Sequence, residues 1–251
     1  MKYLSILAAS VILLSTTTQA QEEPIPPRRA QMAKIGAVGG FTTSFLFMDM
    51  GPINDFLSGG KMGRPLSNSP VFMDGGSGAA YIMIIKNFRV GGIGVAGSTS
   101  ASVLDAATGI RRDVTVKAGY GAVSLEYVVP IMQHLDFVGG VQLGTGGIDI
   151  IVRKSDGASI TWTGEQSWLG SDNGNAGTTT RTLSGKFFIW VPTVCFEYSF
   201  LGWAGVRVGA SYVGMSSPSW QLDSNYDILN VPTSVSGKGW TINLALLVGT
   251  F

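Results

Sequence analysis

One cysteine, Cys195, and one histidine, His134, are all the chain has of either residue. No intrachain disulfide can form, so an exported fold must stand without covalent staples. The same scarcity argues against a transition-metal site built from imidazole and thiolate, and no cofactor or metal is expected. Charge is sparse too: Asp, Glu, Lys and Arg make up 13% of the chain, about half the share in ordinary soluble domains. With a net charge of +1 there is no field to attract nucleic acid. After the first twenty residues no apolar run approaches the ~18 residues a membrane-crossing helix needs.

What remains is nonetheless apolar, with a mean hydropathy of +0.29 and 35 glycines. The opening MKYLSILAASVILLSTTTQA has a basic start, a short apolar run and a small-residue end, and reads as a signal peptide over residues 1–20. Residues 21–32, rich in Pro and charge, read as a disordered lead. An exported apolar chain without a spanning helix points to a barrel, because only helices and closed barrels satisfy their backbone in lipid.

Period-two alternation supports this for residues 33–251. Phe188, Trp190, Val194, Phe196 and Tyr198 share one face, with Thr193, Cys195 and Glu197 opposite. Ala204, Val206, Val208, Ala210 and Tyr212 likewise alternate with Gly205, Arg207, Gly209 and Ser211. Eight strands are expected near 33–48, 76–87, 89–104, 112–129, 135–153, 184–199, 202–216 and 238–251. In the fifth the apolar phase flips at Gly146-Gly147, after which Ile148, Ile150 and Val152 oppose Asp149; a glycine bulge is expected there. A second irregularity is expected near Gly121. Brief connections at 87–89, 130–134 and 199–202 alternate with longer ones at 49–75, 105–111, 154–183 and 217–237, as in barrels with short periplasmic turns and long outer loops. Phe88, Tyr127, Phe137, Tyr198, Phe200, Trp203 and Phe251 fall on the turn side, where an aromatic girdle belongs.

On these features the chain resembles the small bacterial outer-membrane β-barrels as a class. The last segment, Gly239 to Phe251, ends on an aromatic residue, which in that class is similar to the signal read by the barrel-assembly machinery. The stronger apolar face of this segment, Trp240, Ile242, Leu244, Leu246 and Val248, is out of phase with Phe251. The resemblance implies an all-β, eight-stranded antiparallel up-and-down transmembrane barrel, monomeric, in the bacterial outer membrane, in contact with outer-membrane lipid.

Chemistry is thin. His134 beside Asp136 falls in a turn-side connection, out of reach of an outer-leaflet substrate, so a catalytic role is not expected. Lys117, Asp136, Asp149, Glu197 and Arg207 are phased inward, with Glu126 joining if the fourth strand slips, as an interior charge network. Charge facing lipid at the midplane would cost roughly 2–4 kcal/mol. The loop at 154–183 carries Trp162 and Trp168 among Asn, Thr and Gly, anchors for a surface glycan or protein partner. Residues 49–57 read as one amphipathic helical turn over the mouth or as a solvated loop. The expected role is structural, or surface interaction through the long loops. The rivals are a narrow channel or carrier for small apolar molecules, a lipid-modifying enzyme, and a soluble exported β-sandwich or lipocalin-like binder.

Overall fold

A computed structural model describes residues 36–82, 84–155 and 178–250. Residues 1–20, expected as a signal peptide, residues 21–32, expected as a lead, and Trp162, Trp168 and Phe251 lie outside the described residues. The strands are β1 (Ala37–Met48), β2 (Val71–Tyr81), β3 (Phe88–Leu104), β4 (Arg111–Met132), β5 (Leu135–Ser155), β6 (Thr178–Leu201), β7 (Ala204–Leu222), a two-residue β8 (Tyr226–Asp227) and β9 (Gly239–Gly249). A helix, α1 (Gly51–Gly59), sits between β1 and β2. Sequential antiparallel pairing from β1 to β7, with β9 joining β7 to β1, closes a ring of eight; β8 hangs from the loop end of β7. No strand of the ring has a free edge, the condition a bilayer imposes.

The ladder fixes the dimensions. From Gly147 the pairs run Gly119, Ala96, Asp74, Thr43, Leu244, Val208, Phe196 and back to β5 at Phe137. The circuit returns ten residues from its start (147 against 137), which is the stagger of the barrel. With a rise of ~3.3 Å and a strand spacing of ~4.7 Å, eight strands so staggered tilt by about 40° and enclose a cylinder about 8 Å in radius. Such a cylinder is filled by side chains.

The outer wall on the turn side is apolar. Phe41, Val123, Leu125, Leu143, Phe188, Trp190, Val194, Phe196, Val208, Ile242, Leu244 and Leu246 all point away from the lumen, each between 37% and 56% exposed. A soluble sandwich or lipocalin-like fold would bury Phe188 (50%), Trp190 (45%) and Val208 (49%), so the outward belt excludes both. Aromatic residues edge the belt on both sides. Tyr127, Tyr198, Phe200 and Trp203 lie at the turn end, while Trp190, Tyr212 and Trp240 form a contiguous row toward the loops, with centroids 6.2 and 5.3 Å apart.

Two expected irregularities are absent. Pairing of β4 with β5 runs without a shift from Arg111↔Ser155 to Pro130↔Asp136, through both Gly121 and Gly146-Gly147. Ile148 (0% exposed) and Ile150 (3%) therefore keep the inward parity of Gln142, and Asp149 faces outward. The apolar face switches although the backbone does not. Beyond the belt the strands stand in water, so their outer face is polar and their inner face packs a hydrophobic core, as in any soluble barrel. The bends lie instead at Pro130/Met132, Lys186/Phe188 and Ser199/Leu201.

Several strands outrun their expected ends on the loop side: β2 starts at Val71, β6 at Thr178, and β7 continues to Leu222. Thr178–Thr182 has the hydroxyl-rich look of a loop, yet it pairs residue by residue with Ile151–Ser155.

Candidate functional site: a lumen closed in three tiers

Nearest the turns, four charged side chains from four strands meet inside the barrel. Arg89 of β3 donates from Nη1 to Glu197 Oε1 (3.0 Å) and from Nη2 to Glu126 Oε2 (3.0 Å) and Glu197 Oε2 (3.1 Å). Arg207 of β7 donates from Nε and Nη2 to Glu197 Oε2 (3.0 and 2.8 Å) and from Nη1 to Glu126 Oε1 (3.1 Å). Arg89, Glu126 and Glu197 are only 1–3% exposed, and the Tyr81 ring lies under the Arg89 guanidinium, 5.4 Å from its centroid. Two cations and two anions cancel, and forked guanidinium–carboxylate contacts are among the stronger hydrogen bonds. In a site with little water, any other count would leave a bare charge at heavy desolvation cost.

A tier of hydroxyls and amides follows toward the loops. Thr42 Oγ1 and Ser77 Oγ are 2.6 Å apart, Ser44 donates to Asn243 Oδ1 (2.7 Å), Asn243 Nδ2 donates to Ser211 Oγ (2.7 Å), and Ser211 Oγ lies 2.9 Å from Thr193 Oγ1. The space left among Thr42, Ser77, Ser124, Gln142, Thr193 and Asn243 is a cavity of about 30 Å³, room for about two waters. Glycine lets neighbouring walls approach at this level: a Cβ on inward Gly91 would meet Ser124 Oγ at 2.7 Å and the Ala79 Cβ at 2.8 Å.

The loop-side tier is apolar. Val114, Val116, Tyr120, Ile148, Phe187, Ile189 and Val191 line it, and the segment after β1 fills it. Helix α1 does not merely lie over the mouth: Met50, Ile53 and Leu57 are 0–2% exposed and share one core with the wall. Pro52 sits in the first turn, and the Asp49 carboxylate accepts the Gly51 N–H (2.8 Å). Asn54, 5% exposed, clamps the returning segment before β2 by donating to Leu66 O (2.8 Å) and accepting from Leu66 N (3.1 Å). This pairing lets a polar residue sit in the plug, because its amide finds both partners on the backbone of one residue.

Of the residues expected in the charge network, Glu197, Arg207 and Glu126 meet in the quartet. Asp136 pairs opposite Glu197 at the turn-side lip of the same face. Lys117 and Asp149 do not belong to the lumen. They face each other across the β4–β5 ladder on the outer wall, above the belt, where polar groups meet water. Arg89, the most buried of the cations, was missed because it follows the Asn87-Phe88 turn; its inward parity with Gly91, Ile93 and Val95 was the available signal. His134 is exposed in the β4–β5 turn, its carbonyl accepting the Ser199 N–H (2.9 Å).

No protein-family model matches the chain, and no curated protein does. Among solved structures it is similar to three small outer-membrane proteins. The N-terminal β-barrel domain of Pseudomonas aeruginosa OprF is 10% identical, with 87% of this chain and 99% of that chain covered and a TM-score of 0.38. OprG of Pseudomonas aeruginosa is 11% identical over 87% and 96%, with a TM-score of 0.42. Ail, the attachment invasion locus protein of Yersinia pestis, is 10% identical over 86% and 99%, with a TM-score of 0.36 in its complex with sucrose octasulfate.

Proposed function

We propose that this chain is a non-conducting barrel of the bacterial outer membrane, non-enzymatic, whose work is done at its loop side. The observation that carries the reading is the double closure of the lumen. A neutral Arg89–Glu126–Glu197–Arg207 quartet blocks the turn end, and α1 with Met50, Ile53 and Leu57 fills the loop end. The cavity described between them has room for about two waters. Ions would have to break buried guanidinium–carboxylate pairs to pass. The surface-interaction role is supported by residues that extend beyond the belt, among which 223–227, with β8, stand exposed outside the plug core.

The experiment is insertion of the purified full chain into planar bilayers, with membrane fractionation and a heat-modifiable gel shift confirming that the barrel is folded. The expected result is a folded, membrane-extracted protein without stepwise ion conductance. Ohmic steps from protein shown to be folded would overturn the reading, as would recovery of the protein in the soluble periplasmic extract.

A further inference from the structure

On the outer wall of β2–β5 the belt is interrupted by a strip without side chains. Gly147, Gly119, Gly121, Gly94, Gly92 and Gly78 all have outward parity. The ladder sets them in descending pairs, Gly147 beside Gly119, Gly121 beside Gly94, and Gly92 beside Gly78. With a rise of ~3.3 Å, a strand spacing of ~4.7 Å and a tilt of about 40°, the row descends about 20 Å nearly parallel to the barrel axis. Phe41 stands on one side of it, Val123 and Leu143 on the other. At its loop-side end lies a groove of about 500 Å³ over Ala96, Gly119 and Gly147, edged by Lys117 and Asp149. We propose that this trough seats one acyl chain of an anionic, phosphate-bearing lipid whose headgroup is held by Lys117 and Lys186. The inference goes beyond the non-conducting reading and does not rest on it, since the trough lies on the outer wall.

The fold itself does not ask for these glycines. Glycine weakens a strand, and inside one it often marks a place where another body approaches the backbone. At inward Gly75, Gly97 and Gly144 that body is the barrel: a Cβ would collide with the carbonyl oxygens of Gly94, Phe72 and Gly121. At outward Gly94 a Cβ would meet nothing within 4 Å, and at Gly121 and Gly92 only a carbonyl oxygen at 3.9 and 3.5 Å. None of these three has a positive φ. The space they keep clear is outside the barrel, so the neighbour that gains from it is external.

Position and charge identify that neighbour. Hydrocarbon is the medium against this wall, and one leaflet is ~15 Å deep, so the trough covers an extended acyl chain over its length. A second copy fits poorly: two strands by ~20 Å is about 200 Å², against ~800 Å² per partner in stable interfaces. At the head of the trough Lys186 pairs beside Gly147, and Lys117 beside Asp149, so exposed ammonium groups flank it from both sides. Two cations against the one carboxylate of Asp149 leave a positive cluster at headgroup level, which suits a phosphate. Outward Asp74, lower on the wall, accepts from the Thr43 hydroxyl (3.2 Å).

The folded full chain is placed in phosphatidylcholine nanodiscs containing a minor share of either phosphatidylglycerol or diacylglycerol with the same chains. Native mass spectrometry after release into mild detergent counts the lipids retained. The expected result is one phosphatidylglycerol per barrel, in excess over diacylglycerol. Lys117→Gln with Lys186→Gln should lower phosphatidylglycerol retention about tenfold and leave diacylglycerol within about twofold. Arg111→Gln with Arg181→Gln removes the same charge elsewhere on the wall and should leave both lipids unchanged. Gly94→Leu with Gly121→Leu, its folding verified by heat-modifiable migration, fills the trough and should abolish retention of both. Phosphatidylglycerol held no better than diacylglycerol, equal loss in the two cation pairs, or full retention in the folded leucine variant overturns the site. A barrel dimer that the leucine variant dissolves overturns the lipid as its occupant.

Discussion

Replacing Arg89 by Met tests the charge quartet most directly. Met keeps much of the side-chain length but removes the guanidinium that bonds Glu126 and Glu197 at 3.0–3.1 Å. Arg207 then faces two carboxylates alone, and a net negative charge is left where Glu126 and Glu197 are 2–4% exposed. Stranding one buried charge in this way costs about 3–5 kcal/mol. Adding Glu197→Gln restores neutrality with one cation and one anion, so the double variant should recover a large part of that loss. A coupling free energy of at least about 1–2 kcal/mol in the double-mutant cycle is expected. Urea unfolding of the barrel in lipid bilayers, followed by tryptophan emission and gel migration, measures all four corners. If Arg89→Met costs under about 1 kcal/mol and the two changes simply add, the four side chains do not act as one electrostatic unit.

Further outcomes follow from the other tiers and from the outer wall. Leu244→Arg places a cation in the middle of the apolar belt, at a position 49% exposed. It should destabilise by roughly 2–4 kcal/mol in lipid, whereas in a water-facing wall it would be near neutral. Leu57→Ala opens a cavity in the plug core and should cost about 2–5 kcal/mol. Asn54→Ala leaves the Leu66 N–H and C=O without their clamp, a loss of about 1–3 kcal/mol read in the same unfolding assay. In the β3–β4 connection the Asp105 carboxyl is held below its usual range, chiefly by the Thr108 hydroxyl and then by the Ala107 N–H. A depressed acid supports its turn above the ordinary carboxylate range and loses that support as pH falls through the folded value. Amide exchange at Ala107 and Gly109, corrected for intrinsic rates, should therefore lose protection on acidification, and Asp105→Asn should flatten the trend.

The belt strands were the most legible part of the chain. In β6, β7 and β9 alternate residues face lipid or a polar lumen, so Phe188, Val208 and Leu244 separate from Glu197, Arg207 and Asn243 at every second position. Legibility failed where the solvent changed. Lys117 and Asp149 were phased inward on the premise that polar means lumen, which holds only inside the bilayer. Above it water lies outside the wall, and Ile148 and Ile150 become the buried face. Arg89 was hidden by its closeness to a turn. Asn54 and α1 were hidden because short amphipathic loops look alike whether they float over a mouth or fill it.

Composition and alternation alone determined that this chain closes into an eight-stranded cylinder with hydrocarbon against part of its outer wall. Those are consequences of backbone satisfaction and side-chain parity, both local to a strand. Tertiary structure alone decided what fills the cylinder, because the stagger of ten brings Arg89, Glu126, Glu197 and Arg207 together from four strands. The return of the chain after β1 then seats Met50, Ile53 and Leu57 against walls distant in sequence. Which partner each inward residue meets depends on stagger and loop path, and no single strand carries that information.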